Sequence, residues 1–595
     1  MRAGEVDRVC RAAVARALVV VCAIAAGSNV AGQSASEQLA QLFADEWEFR
    51  LQEDPLFATF VGDVRYNDRL PDVTAAAQDR NAGAQRGFLA RLAEIDAQEL
   101  SPPERINAAI FAQLKKVEIA EHQFGSYLIP ITSRSGFHVE FPELPKHVPL
   151  RTTKDYENYV ARLAAFRIYA RQHADLMREG IRRGMVLPAV VLEGFEQPLV
   201  AIIVAQAADS PLFQPFAEFP NAVPAAERGR LREAGEEAIS GSVVPGYRDF
   251  LEFMRREYVP AARGEIGASA LPKGREFYRH RVRRFTTLDL TPEQIHETGQ
   301  SEVRRIDQEM RAVIQKTGFK GDFPAFVDFL RTDPRFYVER PEQLLKEVSL
   351  VLKRMDGELP KLFGRLPRMP YGIREIPSYI APRTTTAYYS PPSGDGTRAG
   401  YYYVNTYDLK SRPLYEIEAL SLHEAVPGHH LQIALQQELE GLPDFRRFAD
   451  FTAFVEGWGL YAERLGLECG FYRDPYSDFG RLSYEMWRAC RLVVDSGMHY
   501  LGWSREQAIR FMAEHTALTI HNITTEVDRY ISWPGQAVAY KTGELKFREL
   551  RRRAEEKLGD RFDVRQFHDV VLGSGAVPLS LLEENVERYT REAAQ

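Results

Sequence analysis

The chain has 595 residues, of which 45% are hydrophobic and 27% charged, and its formal net charge is −7. These ordinary proportions predict a large globular protein, and the acidic balance argues against nucleic acid as a partner. A single core rarely extends beyond about 300 residues, so we expect two lobes or subdomains.

The first 31 residues have the pattern of a secretory signal. Arginines precede a short apolar run at 17–26, which is followed by small residues. Such a run is typical of a signal peptide and is too short to span a bilayer, although an uncleaved anchor is the alternative. We therefore predict a periplasmic or secreted protein with no stable membrane span after residues 1–31 are removed. Only Cys469 and Cys490 would then remain, and they could pair in an oxidising compartment.

Helical periodicity dominates the chain up to residue 380. Apolar residues recur at helical spacing in segments that begin near Ser36, Ser101, Thr153 and Thr291. We expect residues 32–380 to form a helical half that walls a cleft. The exception follows directly: aromatic, β-favouring runs at 386–390 and 399–405 predict a short β-hairpin or small sheet.

Three imidazoles and one carboxylate lie close together in Ser421-Leu-His-Glu-Ala-Val-Pro-Gly-His-His430. The pattern is close to H-E-x-x-H, in which two histidines on one helix face bind zinc and the Glu acts on the bound water. We therefore predict His423 as a metal ligand and Glu424 as the general base. The alternative is a helix whose polar residues face solvent.

The second histidine comes later than in H-E-x-x-H. Pro427 stands at the expected position, lacks an N–H and is followed by Gly428. On an unbroken helix His430 would lie about 10.5 Å further along the axis than His423. We therefore predict a bulge or break that brings His429 to the metal, with His430 as the alternative ligand or as an oxyanion donor.

A second acidic motif, Phe454-Val-Glu-Gly-Trp-Gly-Leu-Tyr461, falls on a predicted helix from Thr452 to Leu465. Glu456 lies inside the apolar stripe of this helix, and burying a carboxylate is costly unless a cation compensates its charge. We predict Glu456 as the third ligand of one Zn²⁺ ion per chain, with Glu463 as the alternative. The choice of zinc over manganese or cobalt rests on ligand type.

These motifs, together with Gly400-Tyr-Tyr-Tyr-Val-Asn405 and Trp533-Pro-Gly-Gln-Ala-Val-Ala-Tyr-Lys-Thr-Gly543, resemble the bacterial domain-of-unknown-function 885 family. The resemblance covers most of the chain and is most specific from 380 to 550. That family is grouped with the zincin metallopeptidases. The resemblance implies a mainly α, zincin-like fold similar to the angiotensin-converting-enzyme and oligopeptidase group, with residues 381–595 as the catalytic half. The resemblance also favours Glu456 over Glu463 as the third metal ligand.

The resemblance further implies roles for residues outside the metal motif. Oligopeptidase-type zinc peptidases carry an oxyanion-donating Tyr on a segment like 533–543, where Tyr540 matches, although a core position is the alternative. Zincins bind extended substrate along an edge strand, a role we assign to 400–405 with Tyr402 and Asn405. A purely supporting hairpin is the other interpretation. Arg529 is a further candidate for substrate binding.

We therefore expect a zinc-dependent hydrolase, in the first place a metallopeptidase that cleaves short peptides with metal-activated water. A zinc amidase that acts on a non-peptide amide and a non-catalytic periplasmic metal-binding protein are the alternatives. Glu424 distinguishes catalysis from binding, because a carboxylate beside the first ligand is needed for chemistry and not for structure.

Overall fold

The computed structural model describes residues 33–378, 381, 385–394 and 396–595, so the predicted signal segment lies outside the described residues. The described chain is mainly helical and carries one small sheet, as predicted. No helix within these ranges is long and apolar enough to cross a membrane.

The helices and strands are numbered in chain order. The helices before the sheet are α1 (Ala35–Glu53), α2 (Pro55–Val61), α3 (Ala75–Ala93), α4 (Pro102–Phe124), α5 (Phe137–Glu140), α6 (Thr153–Arg183), α7 (Glu196–Val200), α8 (Gln214–Ala217), α9 (Ala225–Ala238), α10 (Val244–Phe253), α11 (Gly274–Thr286), α12 (Pro292–Thr317), α13 (Phe323–Thr332) and α14 (Pro341–Leu362). The strands are β1 (Tyr371–Glu375), β2 (Ala387–Ser390) and β3 (Gly400–Val404). The helices after the sheet are α15 (Ile417–Glu424), α16 (His429–Gln437), α17 (Asp444–Arg447), α18 (Thr452–Leu465), α19 (Pro475–Ser496), α20 (Arg505–His515), α21 (Ile520–Ser532), α22 (Ala539–Leu558), α23 (Val564–Leu572) and α24 (Leu579–Ala594).

The predicted helix starts are confirmed at α4 and α12, where side chains satisfy the first backbone N–H groups. The N–H of Ser101 donates to the Glu104 carboxylate at 2.7 Å. Thr291 and Gln294 exchange two hydrogen bonds, with the side chain of each accepting from the backbone N–H of the other at 2.9 and 3.2 Å. These local bonds explain why both helices begin where the sequence pattern placed them.

The main hydrophobic cluster of the described residues extends from Ala35 in α1 to Val586 in α24. Helix α12 packs along α19, and α18 packs along α22. Helices from both predicted halves therefore share this core, and the division near residue 380 stays a prediction. Cys469 and Cys490 are both free thiols, so the pairing that the sequence left open is not formed.

The sheet corrects one prediction. Its strand order is β1–β3–β2, with β2 antiparallel to β3, which confirms the predicted hairpin. Strand β1 pairs in parallel with the other side of β3, with Ile373 opposite Tyr402. The prediction that 400–405 forms a substrate-binding edge is therefore wrong, because β3 is the central strand. The open edges of this sheet belong to β1 and β2.

Helices α18 and α22 approach closely at two glycines. A Cβ on Gly457 would lie 2.5 Å from the Cα of Gly543, and a Cβ on Gly543 would overlap the carbonyl oxygen of Ala453. Because real Cβ atoms do not make such contacts, any larger residue would push the helices apart. The spacing of these helices also fixes the relative positions of Glu456 on α18 and Tyr540 on α22.

We expect Gly543→Ala to lower the apparent Tm, because the added methyl group overlaps the backbone of α18 at a cost of about 1–3 kcal/mol. Thermal unfolding followed by circular dichroism measures the change. Gly229→Ala is the matched control, because Gly229 lies in α9 with no heavy atom within 4 Å of an added Cβ. That variant should unfold at the wild-type temperature or above it. Equal Tm values for Gly543→Ala and wild type would contradict the close-packing argument.

Candidate metal centre

The histidine motif is divided between two short helices. Helix α15 ends at Glu424 and α16 begins at His429, which confirms the predicted interruption. The connecting turn contains a cis Val426–Pro427 bond. The indole N–H of Trp458, on α18, donates to the carbonyl oxygen of Pro427 at 2.8 Å. Trp458, from the acidic motif that contains Glu456, thus stabilises the turn between His423 and His429.

Two glycines make room around His423. A Cβ on Gly428 would overlap the carbonyl oxygens of Leu422 and His423, and a Cβ on Gly459 would lie 2.7 Å from the His423 ring. Glycine is required at 428 because a side chain would not fit. A left-handed backbone is not the reason, since φ at Gly428 is −77°. Gly459, the second glycine of the Gly-Trp-Gly sequence after Glu456, thus leaves room for the His423 ring.

His423, His429 and Glu456 converge on one point. The Nε2 atom of His423 lies 3.5 Å from Oε2 of Glu456, and Nε2 of His429 lies 3.6 Å from the same oxygen. One ligand atom from each residue lies within 4.8 Å of the others. Two imidazoles and a carboxylate at these separations could hold a divalent metal ion, and they are a donor set that zinc accepts.

The outer hydrogen bonds of His423 suit a metal ligand. Its Nδ1 lies 2.8 Å from Oε1 of Glu463, and the Arg488 guanidinium lies 3.6 Å from the same oxygen. A carboxylate that holds one ring nitrogen fixes the tautomer and orientation of a ligand histidine, which leaves the other nitrogen for the metal. Glu463, the alternative ligand at the sequence level, therefore lies behind His423, while Glu456 faces both histidines.

The charges of the three residues depend on one another. Burial alone would lower the pKa of His423, but the carboxylates of Glu456 and Glu463 outweigh burial and raise that pKa to about 9. Burial likewise opposes ionisation of Glu456, but the nearby imidazoles of His423 and His429 hold its pKa well below the ordinary value. The Glu456 side chain remains 20% exposed, whereas that of His423 is 4% exposed, so the centre opens toward solvent on the Glu456 side.

His430 is engaged elsewhere. Its Nδ1 lies 2.8 Å from the Tyr389 hydroxyl, and its Nε2 lies 3.0 Å from the carbonyl oxygen of Met369. Burial lowers the pKa of His430 to about 4, and the Tyr371 ring packs against it at 4.9 Å between centroids. The structure therefore does not bring His430 to the other candidate ligands. Its contacts link α16 to the sheet.

Glu424 and Tyr540 both lie near the three converging residues. Glu424 is 9% exposed, and its charge contributes to the raised pKa of His423. Burial and the charge of Glu456 raise the pKa of Tyr540, whose hydroxyl accepts a 3.3 Å hydrogen bond from Gln536. The Arg491 guanidinium stacks over the Tyr540 ring at 4.4 Å. Glu424 thus directly follows the first histidine, and the hydroxyl of Tyr540 lies within the electrostatic influence of Glu456.

The three candidate substrate-binding residues have different positions. Arg529 is partly buried, donates to Gln536 at 2.8 Å and pairs with Glu526 at 3.0 Å, so it supports the Gln536–Tyr540 contact. Tyr402 and Asn405 are both fully buried. Their expected contact with substrate is not supported, because the central strand of a sheet packed on α15 does not present them to solvent.

Sequence patterns did not single out Asp450, an exposed residue shortly before α18. Burial and the charge of Glu456 raise its pKa to about 6, and the charges of His429 and Arg284 oppose that shift. A lone Asp just before a helix is a common sequence feature, so no signal in the pattern could have distinguished it.

A model of a bacterial protein family of unknown function, DUF885, matches residues 55–586. The chain belongs to this family. The family resemblance that the sequence predicted is therefore confirmed. No curated protein matches the chain.

Solved structures share this fold. A candidate lipoprotein from Colwellia psychrerythraea is 29% identical, covers 94% of this chain and 100% of its own, and superposes with a TM-score of 0.90. A candidate lipoprotein of unknown function from Shewanella oneidensis is 18% identical over 93% of this chain and 99% of its own, with a TM-score of 0.65. Metallocarboxypeptidase 1 from Trypanosoma cruzi is 12% identical over 94% of this chain and 99% of its own, with a TM-score of 0.38, too low to bear on the fold.

We expect His423→Ala, His429→Ala and Glu456→Ala each to abolish stoichiometric Zn²⁺ binding, because each removes one of three converging donors. His430→Ala is the matched control and should retain the ion, because both of its ring nitrogens contact the Tyr389 hydroxyl and the Met369 carbonyl. Elemental analysis after dialysis measures the bound metal. Loss of metal in His430→Ala with retention in His429→Ala would overturn this ligand set.

We also expect Glu463→Gln to weaken Zn²⁺ affinity about tenfold to a hundredfold, because the amide no longer supplies the charged partner of His423 Nδ1. Competition with a chromophoric chelator measures the dissociation constant. Unchanged affinity would show that Glu463 does not act through His423.

Proposed function

We propose that this protein is a zinc-dependent hydrolase that cleaves short peptides. The observation that carries the proposal is the convergence of His423, His429 and Glu456, with the Glu424 carboxylate directly after the first histidine. A site that served structure alone would typically have four protein ligands, and no use for an additional carboxylate. The partial exposure of Glu456 is consistent with access for a substrate.

Zinc in such a site supplies Lewis-acid polarisation of a carbonyl group and acidifies water. Glu424 then has the chemistry of a general base: it accepts a proton from the attacking water and returns it to the leaving amine. Its location at the end of α15, adjacent to His423, keeps the carboxylate beside the centre. The same residue thus acts in both proton transfers.

Tyr540 is the proposed donor to the oxygen that becomes negative as the carbonyl is attacked. Its hydroxyl accepts from Gln536, so its own proton is free to be donated. The Arg491 guanidinium stacks over the Tyr540 ring. Its positive charge stabilises partial negative charge on the phenol oxygen, which makes the hydroxyl a better hydrogen-bond donor. Arg529 donates to Gln536, which in turn donates to the Tyr540 hydroxyl, so the two residues support the position of that hydroxyl.

The sheet topology changes where an extended substrate would bind. An open edge remains on β2, whose Tyr389 contacts His430 of α16. Of the two open edges, β1 and β2, the edge on β2 is our choice for main-chain pairing with a peptide, because β2 packs on α15, the helix that carries His423. We also propose a location outside the cytoplasm, supported by the signal-like N-terminal sequence and by the similarity to candidate lipoproteins.

We expect Glu424→Gln to retain zinc and to lose at least about a hundredfold in kcat, because the amide cannot accept the proton. Purified wild-type protein and the variant are incubated with a mixed peptide library, with and without chelator, and products are identified by mass spectrometry. Hydrolysis that survives chelation would refute the zinc-dependent mechanism. Turnover retained in Glu424→Gln would remove that residue from the role of base.

We expect Tyr540→Phe to reduce kcat about 10²–10³-fold with little change in bound zinc, because one oxyanion donor is lost. Arg529→Lys is an informative companion, since it keeps the charge but not the planar fork that contacts Gln536 and Glu526. It should show a smaller loss. An unchanged kcat in Tyr540→Phe would assign Tyr540 to packing.

A further inference from the structure

A cavity of about 600 Å³, here called the α15 cavity, lies at the first turn of the helix that carries His423. It is lined by residues of α14, the start of α15 and the segment 470–477. Largely buried Phe336, Tyr415 and Ile417 form part of its apolar wall. The volume lies within the range of about 300–1,000 Å³ that is typical of small-ligand sites. None of the three candidate metal ligands lines it, so it is separate from the metal centre.

Positive and negative side chains line the α15 cavity in equal number, and these are Arg335, Arg354, Arg473, Glu347, Glu418 and Asp474. The lining therefore has no net charge. A ligand of one sign gains little net attraction from such a surface, whereas a ligand that carries both signs can be matched at both charged groups. The apolar wall suits a ligand that also has a hydrophobic group.

Some of these charges are already neutralised within the protein. Arg354 and Glu418 lie 3.3 Å apart and pair with each other. Arg335 pairs with Asp333 at 3.4 Å and donates to the Tyr476 hydroxyl at 2.9 Å. Arg354, Glu418 and Arg335 therefore have their partners without a ligand.

Arg473, Glu347 and Asp474 are different. Among the residues that the structure describes, none of these three side chains forms a hydrogen bond or an ion pair. Arg473 and Asp474 are exposed, whereas Glu347, on α14, is half-buried. The α15 cavity thus presents an uncommitted cation and uncommitted carboxylates to the same space. Glu347 is the stronger candidate to bind a cation, because partial burial reduces screening by water.

Tyr472 connects the α15 cavity with the metal centre. Its N–H donates to the carboxylate of Glu418 in the cavity wall at 2.8 Å, and its hydroxyl donates to the carbonyl oxygen of Glu463 at 2.8 Å. The side chain of Glu463 in turn contacts Nδ1 of His423 at 2.8 Å. Two hydrogen bonds of one residue therefore join the cavity wall to the residue that orients the first ligand histidine.

Tyr472 also has an unusual backbone. Its φ is 60°, in the left-handed region that bulky residues rarely adopt. Its ring packs so closely on Gly466 that a Cβ there would lie 2.5 Å from the ring. Such a conformation persists only when its surroundings hold it, and strained residues are concentrated in binding and switch segments. The strain marks the link between cavity and centre as a position that a ligand can influence.

We propose that the α15 cavity binds an amino acid or a short peptide whose ammonium and carboxylate groups are both free, and that this ligand alters the metal centre through α15 and Tyr472. Arg473 binds the carboxylate, Glu347 binds the ammonium group, and the apolar wall contacts the side chain. The inference goes beyond the proposed hydrolase, because it adds a second site that takes no part in bond cleavage. It holds whether or not the protein cleaves peptides.

Binding of the dipeptide Leu-Phe tests the ligand class. The dipeptide with both termini free, its N-acetyl form, its C-terminal amide and free leucine are titrated by calorimetry against zinc-loaded Glu424→Gln protein, a background in which cleavage does not consume the probe. We expect the free dipeptide to bind at least about tenfold more tightly than either blocked form, because each block removes one charged contact. Leucine distinguishes a free amino acid from a peptide as the ligand.

Two variants in the same background assign the contacts. Arg473→Gln should lose the penalty of the C-terminal amide, and Glu347→Gln should lose the penalty of acetylation. Glu342→Gln is the matched control, because Glu342 is exposed on the same helix as Glu347 and does not line the cavity. Unchanged binding in both Arg473→Gln and Glu347→Gln, or no binding of the free dipeptide, overturns the assignment. Equally tight binding of octanoate, which has no ammonium group, overturns it too.

The effect on the metal centre is measured as zinc affinity in the Glu424→Gln background, with and without saturating Leu-Phe, by competition with a chromophoric chelator. We expect the dissociation constant to change at least about fivefold. Arg473→Gln controls for zinc that the free peptide chelates and should show no further change. Tyr472→Phe should still bind the peptide but lose the effect, because it lacks the hydroxyl that reaches Glu463. Equal changes in the Arg473→Gln variant and its parent overturn the coupling.

Discussion

The centre depends on the interruption between α15 and α16. A continuous helix would separate its histidines along the axis, because each residue adds about 1.5 Å of rise. The turn at Pro427 and Gly428 instead lets His429 face His423 across the Glu456 carboxylate. The turn is held by a tertiary contact, the hydrogen bond from Trp458 to the Pro427 carbonyl. The two motifs are therefore one structural unit: the helix that supplies the acidic residue also stabilises the turn.

A second requirement is the close approach of α18 and α22. Gly457 and Gly543 allow these backbones to meet, and the meeting brings Tyr540 of α22 toward Glu456 of α18. Gly457 directly follows Glu456, and Gly543 lies one helical turn after Tyr540, so a small displacement of one helix would change the relative positions of these two side chains. Close packing and site geometry are consequently set by the same residues.

Charge is distributed unevenly around the centre. Behind His423, Glu463 and Arg488 form a buried chain, and around Tyr540 the arginines share Glu526. Such paired charges orient their neighbours and remain inside the protein.

The sequence by itself determined the helices with capping residues, the hairpin, the family and the small set of residues around which the site forms. These features are local: a capping box, a Pro-Gly break and a Glu in an apolar stripe each act within a few residues. It favoured His429 but left His430 as the alternative, because the contacts that engage His430, from Tyr389 of β2 and from the Met369 carbonyl just before β1, form only in the tertiary structure. It also missed β1, whose parallel pairing with β3 joins segments far apart in the chain and makes 400–405 a central strand.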